Sequence, residues 1–148
     1  MGLSQLADRR GETLPPGDWL EITQVMIDGF ARLTGDEQWI HVDVARSIAE
    51  SPYGAPVAHG LLILALIPKL MQGAAKWAAY TTGINYGLNK VRFPAPVRAG
   101  QRIRAHQTLA AVDAYRDEAV KVTLAITIEI EGETTPGCVA EMIVLLFP

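Results

Sequence analysis

Cysteine is almost absent from this sequence, since Cys138 is the only one among 148 residues. An internal disulfide and a multi-cysteine metal site are therefore excluded. Long apolar runs are absent too: the longest, Leu61 to Pro68, is much shorter than the roughly 20 residues of a membrane-spanning helix. No apolar segment follows the charges of residues 1–18, as a secretory signal would require. We therefore expect a cytoplasmic protein with no membrane partner.

Acidic residues are missing from a long central part of the chain. Nine of the sixteen acids lie between Asp8 and Glu50, and none lies between Ser51 and Val112. The basic residues of this acid-free window are Lys69, Lys76, Lys90, Arg92, Arg98, Arg102 and Arg104. They are either solvated charges beside a buried segment or a basic rim for an anionic ligand. The net charge of −3 gives no reason to expect a nucleic-acid partner.

The first part of the chain predicts an irregular arm followed by helices. Residues 1–18 contain two successive prolines and a glycine, which are typical of an irregular N-terminal arm. Helical spacing extends from Gln24 to Leu33, with Thr23 as N-cap and Gly35 as C-cap. The core face predicted for this helix comprises Met26, Ile27, Phe30, Ala31 and Leu33. A second, short helix is expected from Val42 to Glu50.

The segment from Ala58 to about Ala75 predicts the central element of the fold. It is apolar on every side between Leu61 and Ile67, so we expect a helix that is buried all round and bent at Pro68. The later sequence has the two-residue period of strands. The predicted strands are Ile84–Phe93, Gln101–Val112, Val122–Glu131 and Cys138–Phe147. A single α+β domain over residues 1–148 follows, with a curved antiparallel sheet wrapped around a long central helix.

Asp36 and His41 are residue types suited to proton transfer, and they lie five residues apart. On a continuous helix this spacing would place them about 140° from each other. They can therefore share a water only if the residues between them form a turn or an irregular loop. On spacing alone, an acidic loop with a surface histidine is the simpler interpretation.

His59-Gly60, at the predicted start of the central helix, is a second candidate site. A glycine there lets a ligand carbonyl approach the backbone, and the first N–H groups of a helix have no intrahelical partner. Alternatively, Gly60 only permits close helix–sheet packing, and His59 is a satisfied buried side chain. His106 is expected on a solvated strand face. The histidines lack metal-ligand spacing, so we predict no metal, and no nucleotide-binding glycine motif or Gly-x-Ser-x-Gly elbow is present.

Together these motifs resemble the MaoC-like dehydratases, the (R)-specific enoyl-CoA hydratases of the hot-dog fold. The family pattern Gly/Glu-Asp-x-Asn-Pro-x-His is similar to Gly35-Asp36-Glu37-Gln38-Trp39-Ile40-His41, and its Ala/Val-His-Gly helix start is similar to Val57-Ala58-His59-Gly60. The stretch from Arg92 to Gly100 resembles the family's Phe-x-x-Pro-Val-x-x-Gly element. The stretch from Asn85 to Val91 is similar to the nodulation-protein-N-like branch. The resemblance covers residues 19–147 and implies the hot-dog fold.

The resemblance implies a catalytic pair, Asp36 and His41, that holds one water for addition to a trans-2-enoyl thioester. The family usually assigns the histidine as base for the water and the aspartate to the α-proton. The Gly60 N–H would polarise the thioester carbonyl. Gln38 stands where the family has Asn and keeps an amide on a longer side chain as a candidate substrate contact, and Trp39 replaces Pro.

The partners that the resemblance implies are a thioester substrate and a second copy of the chain. The substrate would be carried by coenzyme A or acyl carrier protein, with Lys90 and Arg92 as candidate phosphate contacts and no further cofactor. Hot-dog subunits pair sheet to sheet, which implies a homodimer. Gly73-Ala74-Ala75 is a candidate region for admitting a longer acyl chain. Two alternatives are a thioesterase that uses Asp36 as base and a non-catalytic acyl-thioester-binding subunit.

Overall fold

Five short helices precede four long strands in the computed structural model, which describes residues 2–72 and 77–148. The helices are α1 (Gln24–Thr34), α2 (Trp39–Val42), α3 (Val44–Glu50), α4 (Gly60–Ala65) and α5 (Ile67–Leu70). The strands are β1 (Leu20–Glu21), β2 (Thr82–Arg92), β3 (Arg102–Ala114), β4 (Val120–Ile130) and β5 (Cys138–Phe147). Within the described residues, no helix has the length and hydrophobicity needed to cross a bilayer.

The five strands form one antiparallel sheet in the order β1-β3-β4-β5-β2. Strand β4 lies at its centre, and its alternation directs Ile126, Ile128 and Ile130 into the core. The other face of β4 carries Lys121, Thr123, Ala125, Thr127 and Glu129, as the two-residue period predicts. The predicted α+β architecture, with a curved antiparallel sheet around a central helical segment, is confirmed.

The central helical segment differs from the prediction in continuity and burial. Helix α4 ends at Ala65, and Pro68 lies in the first turn of α5, where a proline costs no helical hydrogen bond. Leu62, Ile63 and Ile67 are buried, whereas Leu61 is 61% exposed. The predicted burial on every side is therefore wrong for the single chain, because the sheet covers only one face of this segment. Residues 73–75, proposed to admit a longer acyl chain, lie outside the described residues.

The N-terminal arm is more regular than predicted. Residues Leu3–Arg9 form a 3-10 helix that buries Leu3 and Leu6, and Leu14 is buried further along the arm. The Leu14 N–H donates to the carbonyl of Gln107 at 3.1 Å, which ties the arm to β3. These apolar side chains make the arm part of the hydrophobic core.

Helix α1 has the predicted caps but a different core face. The Met26 N–H donates to Thr23 Oγ1 at 3.2 Å, and Gly35 ends the helix with a φ of 79°. Ile27 and Ala31 are fully buried. Leu33 is 85% exposed, so its assignment to the core face is wrong. Leu33 follows Ala31 by two residues, which on a helix places its side chain about 200° away from that of Ala31.

Candidate active site

The turn after α1 brings Asp36 back toward His41. The Gly35 N–H donates to the Ala31 carbonyl at 2.9 Å, and helical geometry resumes only at Trp39. Asp36 therefore lies in a loop, whereas His41 lies in α2. A carboxylate oxygen of Asp36 and a ring nitrogen of His41 lie within 4.8 Å of each other. One water can bridge such a gap with two hydrogen bonds of about 2.8 Å.

The His41 ring is buried and oriented by a backbone carbonyl. Its Nδ1 lies 2.6 Å from the Val57 oxygen, and because a carbonyl only accepts, the proton is on Nδ1. Burial lowers the pKa of His41 below its ordinary 6.5, although the hydrogen bond to Val57 acts in the opposite direction. The imidazole is therefore neutral at neutral pH, and its Nε2 lone pair is available to accept a proton.

His59 contacts both Asp36 and His41. Its Nε2 donates to the backbone oxygen of Asp36 at 2.8 Å, and its ring stacks on that of His41 with centroids 3.7 Å apart. Phe30 packs on the same ring at a centroid distance of 5.0 Å. In the described part of the chain, the buried Nδ1 of His59 has no hydrogen-bond partner. His59 therefore positions both Asp36 and His41. The sequence did not indicate these two contacts, because His59 is distant from both residues in the chain.

Asp36, His41 and His59 are near enough to one another to be considered as metal ligands, since each places a ligand atom within 4.8 Å of the others. The two imidazole rings are stacked with an interplanar angle of 23°. A ring nitrogen directs its lone pair in the plane of the ring, so two nearly parallel rings cannot both aim at one ion. The geometry suits a bound water better than a shared metal.

Gly60 is the first residue of α4, so its N–H has no acceptor within the helix. A Cβ at this position would lie 2.6 Å from the Phe93 ring. Gly60 and Phe93 also line a cavity of about 260 Å³ together with Ile40, Tyr53 and Val57. Close packing therefore requires glycine here, and the same packing places the helix start at the wall of a cavity.

Gln38 lies at the start of α2, where its side chain is exposed and makes no capping hydrogen bond. Trp39 beside it is half-buried, with the Arg46 guanidinium 4.1 Å above its ring. The structure therefore places Gln38 next to the Asp36–His41 pair without a contact that fixes its amide. Arg92 is exposed and immediately precedes Phe93, which places it near the cavity at Gly60.

The acid-free window is largely neutralised by acids from β4, β5 and the turn between them. The ion pairs are Lys90–Glu141, Arg98–Glu133, Arg102–Glu131 and Arg104–Glu129. His106 also lies on the outer face of β3 and contacts Glu129 at 2.6 Å. Among the described residues of the window, Lys69 and Arg92 make no ion pair. Any basic rim is therefore much smaller than the composition indicates.

Comparison with known proteins identifies first the fold and then the family. The fold matches the (R)-hydratase from A. caviae with a TM-score of 0.70 at 23% identity, over 94% of this chain and 96% of that one. A MaoC-like dehydratase from Rhodospirillum rubrum matches with a TM-score of 0.71 at 21% identity, over 100% and 99% of the two chains. These structures have the hot-dog fold that the sequence predicted.

Residues 6–130 match the MaoC-like domain family. The 3-hydroxyacyl-thioester dehydratase Z of Mycobacterium tuberculosis is 46% identical over 142 residues, which cover 96% of this chain and 93% of the relative. Nodulation protein N of Rhizobium meliloti is 39% identical over 146 residues, which cover 98% and 91% of the two chains. The chain belongs to the MaoC-like dehydratase family, and it is an enzyme of the hydro-lyase class.

The contact between Gly60 and Phe93 is tested by adding one methyl group. Gly60→Ala should lower the free energy of unfolding by roughly 1–3 kcal/mol, because the methyl group overlaps the Phe93 ring. The same substitution in a Phe93→Ala background should cost less, as urea denaturation would show. Gly29→Ala is the matched control: nothing lies within 4 Å of its added Cβ in α1, so it should stabilise the protein. Equal costs in both backgrounds would contradict the contact.

Proposed function

We propose that the protein is an (R)-specific enoyl-CoA hydratase, or a 3-hydroxyacyl-thioester dehydratase in the reverse direction. This proposal rests on one observation: Asp36 and His41 lie close enough together for a single water to bridge them. The buried start of α4 beside them adds a backbone donor at Gly60. The reactions named for the M. tuberculosis and A. caviae proteins support the same chemistry.

In the proposed hydration, the pair holds the water at the β-carbon of the enoyl group. Nε2 of His41 takes a proton from this water as the oxygen attacks the β-carbon. The electron pair of the double bond moves toward the thioester. The proton that His41 took from the water passes to Asp36 and from there to the α-carbon on the same face, so both residues end in the protonation state in which they began. Because both residues contact one water, their titrations belong to the pair.

Gly60 is the proposed electrophilic group in this reaction. Negative charge develops on the thioester oxygen as the water adds, and a fixed N–H donor stabilises that charge without reorganisation. Gln38 is proposed to contact the substrate through its amide, which extends one methylene further than the amide of the family's Asn. Lys90 and Arg92 are proposed contacts for coenzyme A phosphates, with Arg92 better placed because Lys90 already pairs with Glu141 at 3.3 Å. No further cofactor is proposed.

The proposal predicts hydration of crotonyl-CoA, measured as loss of the enoyl-thioester absorbance. Asp36→Asn and His41→Gln should each reduce kcat by roughly 10²–10⁴, because each removes one proton-transfer group. His106→Gln is the matched control, since this histidine lies on the outer face of the sheet. Circular dichroism would establish that the variants fold. Full activity in both site variants would exclude the assigned mechanism.

The same assay distinguishes the two alternatives. A thioesterase that uses Asp36 as base would release free thiol, which an aromatic disulfide reagent detects. Cys138 should contribute no background, because it is buried and burial raises the pKa of its thiol to about 11. A non-catalytic acyl-thioester-binding subunit would bind acyl-CoA and show neither hydration nor thiol release. The convergence of both proton-transfer groups favours the hydratase.

The lowered pKa of His41 predicts the acidic limit of activity. Protonation of Nε2 removes the base, and burial makes that protonation harder, so activity should persist to lower pH than a free imidazole would allow. The acidic limb of kcat/KM should therefore lie below pH 6.5. His106→Gln should leave that limb in place. A limb at or above 6.5, with the protein still folded, would refute the role of neutral His41.

We also propose a homodimer formed through β2. Among the described strands, β2 is bonded only to β5, so its other backbone edge is open. Ile84, Tyr86 and Leu88 expose apolar surface along this edge strand. A second copy can pair its own β2 with this edge around a two-fold axis. The ChsH1–ChsH2 and HadBC complexes of M. tuberculosis are structural neighbours that support assembly of this fold with a partner.

Light scattering tests the homodimer directly. The purified protein should have twice the mass of one chain, and Tyr86→Lys should shift it toward the monomer because a charge would be buried at the new interface. Val25→Lys is the matched control, since Val25 is an exposed apolar residue on α1 rather than on β2. A monomeric wild-type protein would overturn the proposal and would point to a different partner chain.

A further inference from the structure

Gln107 is a polar side chain in an otherwise apolar row. Strand β3 directs Ile103, Ala105, Gln107 and Leu109 into the core, and Gln107 is only 3% exposed. A buried amide that lacks hydrogen-bond partners is costly, so each of its polar atoms needs a partner. The proposed hydration reaction does not use this residue.

The orientation of the Gln107 amide is set by its neighbours. The Trp77 Nε1–H donates to Gln107 Oε1 at 2.8 Å, and an indole nitrogen can only donate. The amide oxygen therefore faces Trp77, and the NH₂ group must face away from it. Arg9 holds this tryptophan in turn: its Nη1 donates to the Trp77 carbonyl at 2.7 Å, and its guanidinium lies 4.9 Å from the ring centroid.

Gln107 lines a cavity of about 470 Å³ between α5 and the sheet. Its apolar lining includes Met71, Val122, Leu124, Met142, Val144 and Leu146. Within residues 2–72 and 77–148, the amide nitrogen of Gln107 has no hydrogen-bond acceptor. The lining is mostly apolar, with Gln72, Tyr80 and Asn85 as further polar residues, and Trp77 orients the Gln107 amide so that its NH₂ group is free to meet a ligand in the cavity. Such a donor selects a ligand that is largely apolar and carries an acceptor oxygen.

A second cavity adjoins this chamber and runs along α4 and α5. It has a volume of about 340 Å³ and follows the uncovered face of α4 and α5 from Leu61 to Pro68, opposite β2. Pro68, Asn85 and Met142 line both cavities. Eleven residues from the start of α4 to the end of α5 span about 15 Å. An extended acyl chain whose thioester lies at Gly60 would leave the Gly60 cavity past the exposed Leu61 and then follow the second cavity into the chamber.

We propose that Gln107 determines specificity by binding an oxygen on the distal part of the acyl chain, as a hydroxyl or a carbonyl group. This inference rests on the proposed hydratase function. The ligand oxygen is neutral, since among the described residues the chamber has no cationic side chain to pair with a carboxylate. A plain alkyl chain would fill the chamber but leave the NH₂ group unpaired, so the site disfavours it.

The test compares trans-2-dodecenoyl-CoA with the same thioester carrying a hydroxyl group at its distal end. The wild-type protein should prefer the hydroxylated substrate in kcat/KM by roughly tenfold or more, because the plain chain leaves a buried donor unsatisfied. Gln107→Met keeps an unbranched side chain without the donor, so it should abolish or reverse the preference. The ratio compares two substrates on one preparation, so partial loss of folded protein cancels.

Two further variants keep the inference falsifiable. Trp77→Phe removes the hydrogen bond that orients the Gln107 amide but keeps the amide itself, so the preference should decrease without disappearing. His106→Gln changes the outer face of β3 and should leave the preference intact. A wild-type protein that shows no preference or prefers the plain chain, or an unchanged ratio in Gln107→Met, would overturn the inference.

Failure of this inference is distinguishable from failure of the proposed function. If the wild-type protein does not hydrate crotonyl-CoA, the hydratase proposal fails, and calorimetric binding of the two dodecenoyl thioesters then tests the chamber by itself. Tighter binding of the hydroxylated thioester, lost in Gln107→Met, would support the assignment of Gln107. Equal affinities would overturn it.

Discussion

The hydrogen bond between His41 Nδ1 and the Val57 carbonyl is the interaction on which the candidate site depends. It assigns the proton to Nδ1 and leaves the lone pair on Nε2, which is the condition for His41 to act as a base. The Val57 N–H donates to Ile40 at 3.0 Å, so the same residue anchors both the backbone and the ring of α2. Ala58, the next residue, donates to Val97 at 2.7 Å. A change in this short extended segment would therefore alter the base, although Val57 itself has no reactive side chain.

Local patterns predicted the elements well because local chemistry determines them. The Thr23 cap, the left-handed Gly35 and the alternating β4 all follow from single residues or from a two-residue period. The approach of Asp36 to His41 could not be derived in this way, since it needs a turn whose path is held by His59. Motif resemblance located the pair because the family pattern includes that distant helix start. The geometry itself became visible only in three dimensions.

Charge and apolar patterns predicted the structure less well, because the residues that pair with a charge or cover an apolar side chain are distant in the chain. The basic window was compatible with an anion site as well as with solvated charges, and antiparallel pairing places Glu129 beside Arg104 with a contact of 2.6 Å. Gln107 was overlooked for the same reason, since an isolated amide in a strand pattern gives no sign that Trp77 will fix its orientation. An apolar run likewise predicts that Leu61 is buried, but it does not identify the residues that cover it. Each of these three errors concerns a long-range partner rather than a local conformation.

The uncovered face of α4 and α5 is the feature that joins the two proposals. If the sheet of one chain enclosed this segment completely, no path would lead from Gly60 to the chamber at Gln107. Because Leu61 and Pro68 are uncovered, an acyl chain can lie against them, and a second copy paired at β2 would then cover the path from outside. The part of this face that the substrate would cover and the part that the partner would cover each contribute a favourable transfer free energy. In the two proposals, the substrate and the second copy together cover the face on which the exposed Leu61 lies.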